Sequence, residues 1–330
     1  MNDSAFELPS PKSSSLPSMI DRSLYFLGWM IVAFIQALPL AWVAQIGRCG
    51  GEVIFWLDGR HRKVAIKNLT LCFKDSKTPR EIRALAHENF RRIGETYGCA
   101  IKTAGMKGPA LRKIMEVTGG ESLDPERAGD QTENCIYATG HFGNFELFSR
   151  LSLFIKGYQC AATYRGMRPA AFNRILFSMR TKAGGSGLLY ERRTDGALLK
   201  KAMNAGGVLL ILVSDQSSRD NGLELPFFGH PCFTTPAPAV MAARYHCSLF
   251  VPICYRTGLG RWRIEVGEAI PMRANGVRRS TEAITRDVNT AMETAVRRDP
   301  ANWFWVHNRW KTKKILATAE AAAAETVATA

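Results

Sequence analysis

The sequence predicts an α/β protein: a mixed, partly parallel central sheet covered by helices, preceded by an N-terminal membrane-anchoring helix. Three observations carry this. From residue 133 onward, short apolar runs of strand length alternate with segments of helical periodicity, the pattern of a sheet with helices on both faces. The 25 residues from Ser23 to Gly47 contain no charge. Two of the strand-like runs end in polar residues, His141 in one and Asp215-Gln216 in the other, where open α/β sheets place their sites.

In chain order, residues 1–20 are rich in Ser and Pro and read as a disordered tail. Residues 21–48 hold the uncharged stretch, long enough to cross a bilayer core, which takes about 20 residues. Trp29 and Trp42 suit the interfacial zones, whereas Gln36 and Pro39 also fit a Pro-kinked helix pair packed on the body. Arg48, Arg60, Arg62, Lys63 and Lys67 follow it, against Lys12 and Arg22 before it, which places the body on the cytoplasmic side. The segments 60–71 and 78–104 read as helices. In the second, Thr78 caps, Pro79 takes the first position, and Ile82, Leu85, Phe90, Ile93 and Tyr97 recur at helical spacing. Their basic faces fit lipid head groups and bulk solvent equally well.

Cys135–Ala138 reads as a buried strand leading through Thr139-Gly140 into a helix, with His141 between them and Glu146 five positions on. A carboxylate there can fold back on the imidazole, hold one tautomer and favour the imidazolium. The pair by itself is not specific. Strands follow at 159–164, 187–189, 207–214, 248–255 and 262–266, and helices at 168–182, 195–204, 238–246 and 281–298. The stretch 225–236 reads as a loop crowded with Pro, Gly and aromatics. Pro300–Lys311, PANWFWVHNRWK, reads as a cation-bearing aromatic surface suited to a lipid interface or an anion. No internal repeat or linker interrupts 50–312, so 49–314 is expected to be one domain, followed by an Ala-rich disordered tail at 315–330.

Lys and Arg outnumber Asp and Glu by 44 to 29, a net charge of +15, which calls for an acidic partner. No zinc-finger spacing or RNA-binding aromatic motif is present, so a membrane face or a phosphorylated substrate is preferred over nucleic acid. The eight Cys form no Cys-x-x-Cys and read as reduced thiols. No His/Cys/Asp cluster has metal-ligand spacing, and neither a metal nor another cofactor is expected.

Three ordered stretches, GHFGNFE, VSDQ followed by PFFGHPCFTTPAPAVMAARY, and PANWFWVHNRWK, resemble the bacterial lipid A biosynthesis acyltransferases. These belong to the wider superfamily sharing a His-x-x-x-x-Asp/Glu motif with glycerol-phosphate acyltransferases, and the resemblance spans most of 20–312. It implies a glycerol-phosphate-acyltransferase-like fold and an inner-membrane enzyme with its acyltransferase domain on the cytoplasmic face. Such an enzyme moves a fatty acyl group from acyl carrier protein, or sometimes coenzyme A, to a glycolipid hydroxyl, with a lipid A precursor as the expected acceptor. Residue by residue, the resemblance makes His141 and Glu146 the catalytic pair. It makes Arg165, Asn173, Asp215 and Gln216, with Asn144 beside the helix start, the substrate-binding set. Ser217–Leu223 departs from the family's short Gly-containing segment, and the same family's phosphatidylinositol-mannoside acyltransferases keep the acceptor open.

The residues imply direct attack: His141 as general base on the acceptor hydroxyl, with Glu146 orienting it. No Gly-x-Ser-x-Gly elbow calls for a covalent intermediate. Oxyanion donors are expected from the Gly143 and Asn144 amides or from Arg165, acceptor anions from Arg165 and Arg168, and an acyl slot from the Phe227-Phe228 loop and the hydrophobic helices. A membrane-bound hydrolase and a non-catalytic lipid-binding homologue are the rival readings.

Overall fold

The computed structural model describes residues 19–119, 133–181, 187–218 and 221–310. Residues 1–18 of the expected first tail and all of 315–330 lie outside these. Met19 and Ile20 already belong to the first helix.

The uncharged stretch forms two helices, α1 (Met19–Ala37) and α2 (Leu40–Leu57). Pro39 sits between them in an extended conformation, φ −57° and ψ 140°, and with no N–H it cannot carry α1 onward. The side chain of Asp58 accepts from the His61 N–H and starts α3 (Gly59–Phe73). Thr78 and Glu81 form a reciprocal capping box at α4 (Pro79–Ala104), with the proline inside the first turn. α2 crosses α4 at Gly47, Gly51 and Gly94, where an added side-chain carbon would run into the opposite backbone. Only hydrogen there lets the two helices meet this closely.

A short helix α5 (Gly108–Leu111) and a strand β1 (Met115–Thr118), neither expected, precede the main sheet. That sheet begins with β2 (Cys135–Thr139), followed by a 3₁₀ helix at Phe145–Leu153. An α-helix is the sequence expectation there. Phe145, Phe148 and Leu151 recur at every third residue, the period of a 3₁₀ helix, and two of them are buried. Then come β3 (Gln159–Tyr164), α6 (Ala170–Thr181), β4 (Leu188–Glu191), α7 (Gly196–Ala205) and β5 (Val208–Val213).

The expected loop at 225–236 is a hairpin, β6 (Leu223–Phe227) with β7 (His230–Thr234). Phe228 and Gly229 both have positive φ, 54° and 73°, the signature of a two-residue type I′ turn. The prolines that argue against a strand, Pro226 and Pro231, face each other in this two-stranded ribbon, whose outer edges need no further donors.

α8 (Ala237–Tyr245) leads to β8 (Ser248–Phe250). The run 248–255 is not one strand: after Pro252 the chain enters β9 (Ile253–Gly258), which pairs antiparallel with β10 (Arg261–Glu265). A small hairpin, β11 (Arg273–Ala274) with β12 (Val277–Arg278), precedes α9 (Thr281–Arg298), which Ser280 caps.

The main sheet is all parallel in the order β4-β3-β5-β2-β8, and β1, β10 and β9 form a second sheet. Alternate residues of the central strands enter opposite cores. Ile136, Ala138, Leu210 and Leu212 pack with α3, α4 and α9, while Cys135, Tyr137, Leu209 and Ile211 pack with Val43, Cys99 and Trp262.

Two further expectations are corrected. The segment from Pro300 is interior: Trp303, Trp305 and Trp310 are at most 3% exposed. Buried amides seat it, Asn89 donating to the carbonyls of Ala301 and Trp303 and Asn68 to those of Trp305 and His307. Arg309 is buried too. Its guanidinium donates to the carbonyls of Gln216 and Phe233 and to the Thr234 hydroxyl, so it ties three chain segments together inside the protein. Phe227 and Phe228 likewise pack against these tryptophans in the core, 2% and 6% exposed.

Candidate active site

β2 and β5 are parallel neighbours, with Thr139 opposite Val213. His141 and Asp215 each follow their strand end by two residues, so the register delivers an imidazole and a carboxylate to the same height at the sheet's C-terminal edge. Gly143 enables the turn beyond: its φ is +54°, a Cβ there would collide with the Cys254 carbonyl, and its N–H donates to the Asn302 carbonyl at 2.9 Å. That bond and the Phe142–Trp303 bridge dock the tryptophan segment against the His141 loop.

Asp215 is buried and accepts three hydrogen bonds. Its Oδ1 lies 2.8 Å from His141 Nδ1, and its Oδ2 accepts the His141 backbone N–H at 2.8 Å and the Trp303 indole N–H at 2.9 Å. Burial pushes the Asp215 carboxyl upward. The His141 ring, by charge and hydrogen bond, and the two N–H donors outweigh it and bring the group down to about 2. Burial pulls the His141 imidazole down, and the Asp215 carboxylate, with Glu146 adding charge, outweighs that and raises it above 6.5. An ionised Asp215 keeps a proton on Nδ1, so Nε2 is the nitrogen left for the cavity that the ring lines.

Glu146 does not hold the ring. It stands in the first 3₁₀ turn and makes a bidentate pair with Arg180 of α6, Oε2 to Nε at 2.8 Å and Oε1 to Nη2. The physical reason is twofold: Asp215 already occupies Nδ1, and the tight turn aims residue 146 at the last turn of α6. The carboxylate lines the same cavity as the imidazole and acts on it through charge. The guanidinium of Arg180, pulled down by burial, is raised overall by Glu146 and stays cationic.

This cavity, about 430 Å³, is also walled by Phe145, Phe304, Tyr97 and Gln216. Tyr97 and Phe304 are shared with an apolar groove of about 650 Å³ between α2 and α4, lined by Gly50, Val53, Ile54 and Ile93. The hydrophobic helices thus line an apolar groove, and the Phe227-Phe228 turn does not contribute to it.

The other expected site residues scatter. Gln216 lines the cavity. Asn144 is fully buried behind it, its backbone carbonyl facing the Cys254 thiol. Arg165 and Arg168 are exposed beyond β3 and do not line the cavity, and Asn173 accepts the Met167 N–H, bracing the turn into α6. The Gly143 amide is committed to Asn302. Two residues escaped the sequence reading, Arg180 and Trp303. A basic residue in a helix's last turn is by default a partner of the helix dipole, and Trp303 reads with its neighbours as part of an aromatic surface.

Among the described residues, no group of three His, Cys, Asp or Glu side chains could hold a metal. All eight cysteines are free and none lines the cavity.

Residues 11–312 match the family model for the bacterial lipid A biosynthesis acyltransferases. A lipid A biosynthesis acyltransferase of Haemophilus influenzae is 25% identical over 92% of this chain and 96% of its own length. A lipid A biosynthesis palmitoleoyltransferase of Escherichia coli K12 and a lipid A biosynthesis acyltransferase of Shigella flexneri are each 22% identical over 88% of this chain and 93% of theirs. With the match running from α1 to the buried tryptophan segment, the chain is an acyltransferase and belongs to the bacterial lipid A biosynthesis acyltransferase family.

Proposed function

We propose that the protein transfers a fatty acyl group from an acyl thioester, carried by acyl carrier protein or coenzyme A, to a hydroxyl of a lipid A precursor on the cytoplasmic face of the inner membrane. The observation that carries this is an imidazole fixed on one side by a buried carboxylate, with its other nitrogen left for a cavity that shares Tyr97 and Phe304 with an apolar groove.

His141 Nε2 takes the proton of the acceptor hydroxyl as its oxygen attacks the thioester carbonyl. The tetrahedral intermediate collapses, the C–S bond breaks, and the imidazolium returns its proton to the departing thiolate, leaving an ester and a free thiol. Asp215 holds the tautomer and stabilises the imidazolium, an acid–base contribution of about 10²–10⁴-fold. A guanidinium has five N–H groups, and the Glu146 pair uses two. Arg180, which shares this wall with Arg150, therefore suits the developing oxyanion or an acceptor phosphate. Arg165 is exposed and would meet an acceptor anion only from outside the cavity. Ser149 shares the wall, but its hydroxyl donates to the Glu146 carbonyl at 2.7 Å, which favours direct attack over a Ser–His pair. The apolar groove takes the acyl chain.

The test is mass spectrometry of products from the purified chain with an acyl carrier protein thioester, with and without a lipid A precursor. One ester on the glycolipid per thiol released is expected, with a loss of at least about 100-fold for His141→Ala. Free fatty acid at the same rate without acceptor would make the protein a thioesterase.

A further inference from the structure

Among the described residues, α1 is the helix long and apolar enough to cross a bilayer. Its packing argues for another arrangement. Asp21 accepts the Ala171 N–H at 2.8 Å and pairs with Arg174 at 2.6 Å, and Arg174 lies 4.9 Å over the Tyr25 ring. Gly28 meets the Ile175 side chain, and Val32 is buried. At the far end, Gln36 donates to the Ile101 carbonyl at 3.0 Å and its own carbonyl accepts from Lys102. Residues 21, 25, 28, 32 and 36 form one stripe at helical spacing. The helix is therefore strapped along its whole length, across α6 and α4. An upright α1 would either drag Arg174 and its surroundings into hydrocarbon, an expensive place for charge, or tear the strap away.

The opposite stripe carries Ile20, Leu27, Ile31 and Phe34, all exposed, and beyond Pro39 α2 exposes Trp42, Ile46, Val53, Ile54, Trp56 and Leu57 as well. Arg60, Lys63 and Lys67 follow at once and are exposed. Apolar residues on two body-docked helices, with tryptophans among them and a basic margin, match the boundary zone of an anionic leaflet.

We propose that α1 does not cross the membrane: α1 and α2 lie together in one leaflet as a monotopic foot. Val53 and Ile54 belong both to this foot and to the groove that leads past Ile93 to Tyr97 and Phe304 beside His141. A lipid chain thus slides from the leaflet into the site without entering water, a consequence that rests on the function proposed above.

The test places one epitope tag before residue 1 and another at the C-terminus of the full chain and adds protease to spheroplasts and to inverted membrane vesicles. Both tags should be cut together from one side and protected together on the other. Cutting from opposite sides would overturn the proposal. Separately, purified chain should co-sediment with phosphatidylethanolamine vesicles containing phosphatidylglycerol. Leu27→Glu/Ile31→Glu should weaken this at least about tenfold and leave transfer in detergent micelles within about twofold. Unchanged sedimentation, with the variant converting a dimer to a monomer, would make the face a self-association surface and overturn the proposal. Tag topology is read without substrate, so a failure of transfer would count against the enzyme reading alone.

Discussion

At the residue scale, the chemistry turns on which carboxylate meets which partner. Asp215 holds His141 by its Nδ1 and backbone N–H, and Glu146 holds Arg180. Removing Glu146 leaves a guanidinium on the cavity wall without its counter-charge. Glu146→Ala and Arg180→Ala should each lower kcat/KM, with the double variant little worse than the poorer single one. A double-mutant cycle should return a coupling of about 1–3 kcal/mol. Full additivity would mean that the two side chains act separately. The sequence pointed to the edge of the sheet where His141, Glu146 and Gln216 line one cavity, because an imidazole at a strand's end and an Asp-Gln at another's are local features. Which acid meets the ring depended on β2 and β5 being adjacent and in register, a fact created by a crossover of some seventy residues.

At the element scale, capping and periodicity were the reliable signals: the Thr78–Glu81 box and the Ser280 cap start α4 and α9 where local chemistry says they should. Aromatic-rich stretches misled. The tryptophans beyond Pro300 read as an amphipathic surface until buried Asn68 and Asn89, more than two hundred residues away, satisfied the backbone of that segment inside the core. Charge works similarly between elements. Glu95 is 1% exposed and binds Arg48 of α2, Arg256 of β9 and the Gly260 N–H, locking the helical layer to the second sheet. Glu95→Ala would leave Arg256 without its carboxylate and Arg48 with Glu88 alone, and the expected cost is about 3 kcal/mol, read as a lower urea midpoint. An unchanged midpoint would show the network to be incidental.

At the scale of the whole molecule, the sheet delivers the base to its C-terminal edge, and the crossing of α2 with α4 builds the groove beside it. The groove's bore should therefore govern chain selection. Ile93→Trp, which fills it, should lower kcat/KM for long-chain donors more than for short ones in a competition between acyl thioesters of different length, by about 10-fold or more. Equal losses at every length would place the chain elsewhere. The central claim, a His141 base tuned by Asp215, has a direct reading in the pH dependence of kcat/KM. With the carboxylate present, the folded imidazole titrates above 6.5, so activity is lost as pH falls through a midpoint above that value. In Asp215→Asn the larger charge that raises the ring is gone while its burial and the Glu146 charge remain, so the acid midpoint should move down and the plateau should fall by about 10²-fold. An acid limb at the same pH in both proteins would contradict the account.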